Sequence, residues 1–282
     1  MLHDTPPSRA SPLPHLDLRL IPATPHPFSK QTTFEVSPVT QLTLLCLPYS
    51  GASAMVYSRW RRKLPQWLKL QPVELPGRGA RYGEPLHTDM RRLALQLAQE
   101  LKATLKAPYA LFGHSMGALL ACEMAHAFRS LGCPEPVALF ASGTAAPTMR
   151  ADYDRGFAQP KTDAELIEQL RTLNGTSEEI LANEELMSLT LPVLRADFLL
   201  CGRFEPLQRP LLKCPVHVLG GKNDRATTEQ LIGWSKETRG SFSLDMLAGG
   251  HFFIHEHEAK VLRVIKDQLE VHHRRHSMAV TA

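Results

Sequence analysis

Nowhere in the 282 residues do 18 apolar residues run together, and the first residues lack the basic start and apolar core of a secretory signal. Neither a membrane span nor export is expected, and the reading that follows is a cytoplasmic protein. Cysteine is scarce and odd in number: Cys46, Cys122, Cys133, Cys201 and Cys214 form no CxxC pair, and several stand inside apolar runs such as Leu44-Leu45-Cys46-Leu47. That pattern argues against a disulfide framework or a zinc site and predicts buried thiols. Charge of one sign is lacking too. Lys plus Arg number 32 against 28 Asp plus Glu, a net +4 that is too small for the basic footprint of a nucleic-acid binder. What is present, 43% hydrophobic, 21% charged and 7% aromatic residues, belongs to a chain that folds around a core.

Eight of the 22 prolines fall within residues 1–38, which removes backbone donors and predicts an irregular or disordered leader. From His272 to Ala282 the sequence is polar and unpatterned, so a loose tail is expected there. The folded part is then 39–271. Within it, apolar β-type runs at Leu42–Pro48, Leu70–Glu74, Tyr109–Gly113, Val137–Ser142, Pro215–Gly220 and Ser241–Leu247 alternate with helical patterns at about 54–65, 88–104, 116–131, 227–237 and 257–271. Alternation of this kind predicts an α/β fold: a mostly parallel central sheet flanked by helices on both faces. The segment from about 150 to 210 breaks it with three helical starts and no strand between them. Thr162-Asp163-Ala164-Glu165 reads as a capping box, and Ser177 and Asn183 as caps of two further helices. An all-helical insertion between two strands is where a lid would lie.

Gly113-His114-Ser115-Met116-Gly117 follows a strand pattern and opens a helical one, the setting of a nucleophile elbow. Its glycines are needed because the turn is strained and tightly packed. A serine hydroxyl is a poor nucleophile at neutral pH without a base. His251, in Ala248-Gly249-Gly250-His251 after the last strand, is the candidate that a flexible loop can bring over the sheet edge. His255 and His257 fall in the polar start of the final helix, and His126 and His217 read as structural. Asp224, just after the strand Pro215–Gly220, suits the acid that orients the imidazole; Asp245 competes but lies within a strand pattern, six residues before His251. An oxyanion would need the amide of Met116 and one from Leu47-Pro48-Tyr49-Ser50-Gly51, with Tyr49 and Ser50 both open as the donor. The stretch 59–92 carries nine basic and three acidic residues, which suits a solvated helix face or a surface for an acidic protein.

These segments, together with Glu74-Leu75-Pro76-Gly77-Arg78, Leu191-Pro192-Val193-Leu194-Arg195-Ala196-Asp197-Phe198 and Cys214-Pro215-Val216-His217-Val218-Leu219, resemble the type II thioesterases that accompany non-ribosomal peptide and polyketide synthases. The similarity spans about Leu42 to Leu269. It implies an α/β-hydrolase fold with a helical lid and a catalytic triad of Ser115, Asp224 and His251. It also implies hydrolysis of acyl thioesters on the phosphopantetheine arm of acyl or peptidyl carrier domains, clearing stalled or misprimed groups. No metal or bound cofactor is implied, since the pantetheine belongs to the substrate, and a monomer is the default. Related thioesterases within synthase chains place the acid about 30 residues after the serine, where Ala141–Ala146 here has no carboxylate, which adds weight to Asp224. The chain departs from the family at Asp224-Arg225, often Asp-Pro, and in its long leader. A small-molecule serine ester hydrolase and a non-catalytic carrier-binding module are the alternatives.

Overall fold

A computed structural model describes residues 41–150, 154–173 and 176–280, with backbone only at 155 and 275–280. The proline-rich leader lies outside the described residues. Six strands form one sheet: β1 (Leu42–Leu47), β2 (Leu68–Pro72), β3 (Tyr109–His114), β4 (Leu139–Ser142), β5 (Val216–Gly221) and β6 (Phe242–Leu247). All five pairings are parallel, in the order β2-β1-β3-β4-β5-β6. The expected parallel sheet is thus observed, with strand boundaries shifted by a residue or two.

Burial on both faces explains why these strands read as unbroken apolar runs. Along β1 the side chains alternate. Leu45 and Leu47 join the core formed with α1 (Met90–Lys102) and α2 (Met116–Ser130), whereas Leu42, Leu44 and Cys46 join the core under the long helix α8 (Glu258–Val280). The segment expected to be α-helical at 54–65 is instead a 3₁₀ helix, Ala54–Arg62. Three residues per turn place Tyr57 and Trp60 on one line, and both rings pack edge-on against Phe112.

Among the described residues between β4 and β5, the regular elements of the insertion are helical, as the sequence predicts: α3 (Asp163–Leu173), α4 (Glu178–Leu181) and α5 (Glu184–Gly202). It has its own small core, which includes Phe157, Leu166, Leu191, Leu194 and Phe198. The capping box forms, with Glu165 N–H donating to Thr162 Oγ1 at 3.3 Å and Thr162 N–H donating to Glu165 Oε2 at 2.7 Å. Asn183 caps α5 through Leu186 N–H at 3.0 Å, while Ser177 makes no side-chain cap bond. After β5, α6 (Thr228–Ile232) precedes β6, and α7 (Phe253–Glu256) precedes α8.

The tail is a correction. Residues 272–280 continue α8 rather than forming a loose end, because no glycine or proline interrupts them and one local and one long-range side-chain contact support the helix. Arg274 pairs with Glu270 one turn back, and the His273 ring stacks on Trp67 with centroids 4.6 Å apart. Most of the basic stretch is solvated, as one of its two readings expects: Arg59, Arg61, Arg62, Lys63, Lys69 and Arg92 are exposed. Arg78 is buried, Arg81 is bound by Glu84 and Glu100, and Lys63 pairs with Glu258.

His217 is structural, as read. It stacks on Phe140 and shares a 2.8 Å hydrogen bond with Ser243 Oγ, and burial pushes its imidazole from 6.5 down to about 4. Between these two pH values the unfolded chain binds a proton that the folded chain does not, so stability falls as pH drops through that window. Thermal unfolding midpoints measured from pH 7 to 4.5 should therefore fall less steeply for His217→Gln than for the wild type; parallel curves would contradict the assignment.

Candidate active site

The order of the strands reverses at β1, which has β2 on one side and β3 on the other, and ligands of open α/β sheets bind beyond the carboxyl ends at such a point. Register pairs Leu47 of β1 with Gly113 of β3, so the turn carrying Tyr49 and Ser50 leaves the sheet beside Ser115. Further along, Gly221 of β5 pairs with Leu247 of β6. The loops holding Asp224 and His251 thus also start side by side, and Asn223 N–H donates to Gly249 O at 3.0 Å.

Ser115 sits at φ 55°, ψ −122°, the only described residue other than glycine with positive φ. Such a conformation costs about 1–3 kcal/mol and persists only where the surroundings over-determine it. Here they do. The Ser115 amide donates to Ser142 O at 2.7 Å, and its carbonyl accepts from Ala118 N–H at 3.0 Å. A Cβ at Gly113 would lie 2.0 Å from Gly117 O, and one at Gly117 would lie 2.2 Å from Leu47 O. Helix α2 can therefore approach β1 and β3 only with glycine at both positions.

The structure brings Ser115, His251 and Asp224 into one hydrogen-bonded chain. His251 Nδ1 lies 3.1 and 3.0 Å from the two Asp224 carboxylate oxygens, and His251 Nε2 lies 3.0 Å from Ser115 Oγ. A carboxylate only accepts, so Nδ1 carries the proton and the Nε2 lone pair faces the serine hydroxyl. The side chains of His251 and Asp224 are 8% and 1% exposed, which shields the relay from water. Asp245 lies in β6 opposite Leu219 and has no part in this chain. His255, expected in the start of the final helix, lies in the short α7 before it, where its Nε2 shares a 3.0 Å hydrogen bond with Tyr49 OH.

Met116 opens α2, so its amide is among the four at a helix start without an intrahelical acceptor. Tyr49 and Ser50 line the same pocket as Ser115 and His251. Its apolar wall comes largely from the insertion, through Phe157, Leu170, Leu173, Leu194 and Phe198, with Arg150, Asp154 and Arg225 as charged lining. No group of side chains with the makings of a metal site occurs among the described residues.

Two features escaped the sequence reading. His114, inside the elbow motif, is fully buried, with its ring 5.1 Å from that of His251 and its Nδ1 2.9 Å from Ser142 Oγ. Burial, reinforced by any positive charge on His251, holds its imidazole well below the usual range, so it stays neutral beside the relay. The other is a buried ion pair, Arg78 with Asp197.

A strained serine between a parallel strand and its helix, with the acid and histidine supplied in that order by later strand ends, defines an α/β hydrolase. Residues 42–269 match the thioesterase-domain family. Curated relatives include linear gramicidin dehydrogenase LgrE of Brevibacillus parabrevis, 38% identical over 234 residues that cover 82% of this chain and 88% of that protein. Another is the gramicidin S biosynthesis protein GrsT of Aneurinibacillus migulanus, 35% identical, covering 84% and 92%. Among solved structures, the type II thioesterase BorB from the borrelidin biosynthetic cluster superposes with a TM-score of 0.75 at 38% identity, covering 82% of this chain and 93% of that one. The chain belongs to the thioesterase family, and the resemblance to type II thioesterases read from its motifs is borne out by its likeness to BorB. No described helix is long and apolar enough to cross a membrane.

Proposed function

We propose that this protein hydrolyses acyl thioesters carried on the phosphopantetheine arm of acyl or peptidyl carrier domains, releasing stalled or misprimed groups from a peptide or polyketide synthase. The observation that carries the reading is the 3.0 Å contact of His251 Nε2 with Ser115 Oγ beside a pocket with apolar walls. His251, oriented by Asp224, takes the Ser115 proton as Oγ attacks the thioester carbonyl. The amides of Met116 and of Tyr49 or Ser50 stabilise the oxyanion. As the tetrahedral intermediate collapses, the carbon–sulfur bond breaks and the pantetheine thiol takes the proton from His251. Water, deprotonated by the same imidazole, then attacks the acyl-serine and frees the acid.

No step calls for a metal or bound cofactor, because proton transfer and charge stabilisation both come from the chain. All the residues in these roles come from one polypeptide, which supports a monomer as the working unit. The five cysteines are free thiols, four of them buried, which suits the cytoplasm. A complete relay favours catalysis over a carrier-binding module. Incubating an acetylated carrier domain with catalytic amounts of the protein should remove the acetyl mass and leave the free phosphopantetheine thiol, as read by intact-protein mass spectrometry. An acetylated carrier that persists at its control rate would overturn the proposal.

A further inference from the structure

Arg78 and Asp197 form a buried pair that the relay does not use. Arg78, at the end of the Glu74–Arg78 turn after β2, donates from its two terminal nitrogens to Asp197 Oδ2 and Oδ1 at 2.6 and 2.7 Å. The two side chains are 7% and 0% exposed. Asp197 belongs to α5 of the insertion, and its Oδ2 also accepts the Gly51 amide at 2.8 Å. Arg78 further reaches the carbonyl of Ala52 at 3.4 Å. Gly51, at φ +78°, is the third residue of the tight turn closed by Ala52 N–H on Tyr49 O at 3.0 Å. This is the turn that carries Tyr49 and Ser50.

A buried ion pair is weak support for stability, because apolar side chains of similar volume often hold such a place as well or better. Apolar side chains cannot, however, accept from Gly51 or donate to Ala52. The distinctive contribution of the pair is therefore the orientation of the turn. Leu194, one helical turn before Asp197, packs where a Gly51 side chain would project, with its Cδ1 3.2 Å from the ideal Cβ position, and it also lines the acyl pocket. We propose that Arg78 and Asp197 are positioning residues that clamp the Tyr49–Ala52 turn, so that its amide is aimed at the developing oxyanion and its position is tied to helix α5 of the acyl pocket.

The inference rests on the proposed hydrolysis at Ser115, and its test separates the two. Arg78→Met/Asp197→Leu removes the pair together with the Gly51 acceptor, whereas Arg78→Met/Asp197→Asn removes the charges and keeps a side-chain oxygen for Gly51. Wild type and Ser115→Ala are assayed alongside on an acyl-pantetheine. Each protein is also titrated with an acyl trifluoromethyl ketone, to whose carbonyl carbon Ser115 Oγ adds, leaving an oxyanion. In the first double variant kcat should fall about 100-fold with KM little changed, and ketone affinity should fall with it. The asparagine variant should recover about tenfold of that loss at a similar melting temperature, the remainder reflecting the missing Arg78 contacts to Asp197 and Ala52. Equal kcat and ketone affinity in the two double variants would overturn the clamp. Should the leucine variant fail to fold, Arg78→Lys keeps the charge but loses the fork. It should then lose turnover and ketone affinity together by about tenfold, and parity with wild type would overturn the clamp. Hydrolysis that survives Ser115→Ala would instead sink the underlying reading.

Discussion

Ser115→Ala should lower kcat/KM for thioester hydrolysis by roughly 10⁴- to 10⁶-fold, the scale at which a serine relay loses its nucleophile. The folded structure should survive, because the removed hydroxyl makes one hydrogen bond, to His251, and the elbow is held by backbone contacts to Ser142 and Ala118. Ser115→Gly sharpens the test. At φ 55° a glycine relieves strain that serine and alanine both bear, so this variant should be equally inactive yet more stable than wild type by about 1 kcal/mol or more. Thermal unfolding alongside the assay checks both halves. Residual turnover above a hundredth of wild type in either variant would remove Ser115 from the mechanism.

The second large effect belongs to the acid. Asp224→Asn should lower kcat by about 10⁴-fold, because the amide presents N–H₂ to the imidazole and turns Nδ1 into the acceptor. The proton then resides on Nε2, which no longer has a lone pair for the serine hydroxyl. Asp245→Asn should change kcat little, since that side chain stands in β6, apart from the hydrogen-bonded chain. The reverse ranking of the two variants would show the acid to be misassigned.

Much of this was legible in the sequence because the same physics writes both. Strands buried on two faces must be apolar throughout, and such runs gave all six strands nearly at their observed ends. Ser115 and His251 were legible because each follows a strand in the order an α/β hydrolase supplies. The choice of Asp224 over Asp245 is settled by the fold, which keeps Asp245 within β6. Helix type at Ala54–Arg62 was not legible, since the register that aligns Tyr57 with Trp60 is set by the Phe112 ring from another strand. The continuation of α8 past residue 271 draws on the stacking of His273 against Trp67, a contact between distant segments. Arg78 and Asp197 each lie in a segment tied to the family, yet 119 residues separate them and no local pattern announces their pairing. Arg78 looked like part of a basic surface until the fold buried it.

Hydrolysis on carrier domains requires that the carrier-borne thioester be the favoured substrate. We would measure kcat/KM on an acetyl-phosphopantetheinyl carrier domain, on free acetyl-pantetheine and on a small acetyl ester, with Ser115→Ala as the blank. A preference of at least about tenfold for the carrier-bound group, lost with the serine, is expected, because contacts remote from the carbonyl then contribute to the transition state. Equal rates on all three substrates would contradict this function and leave a general serine esterase in its place.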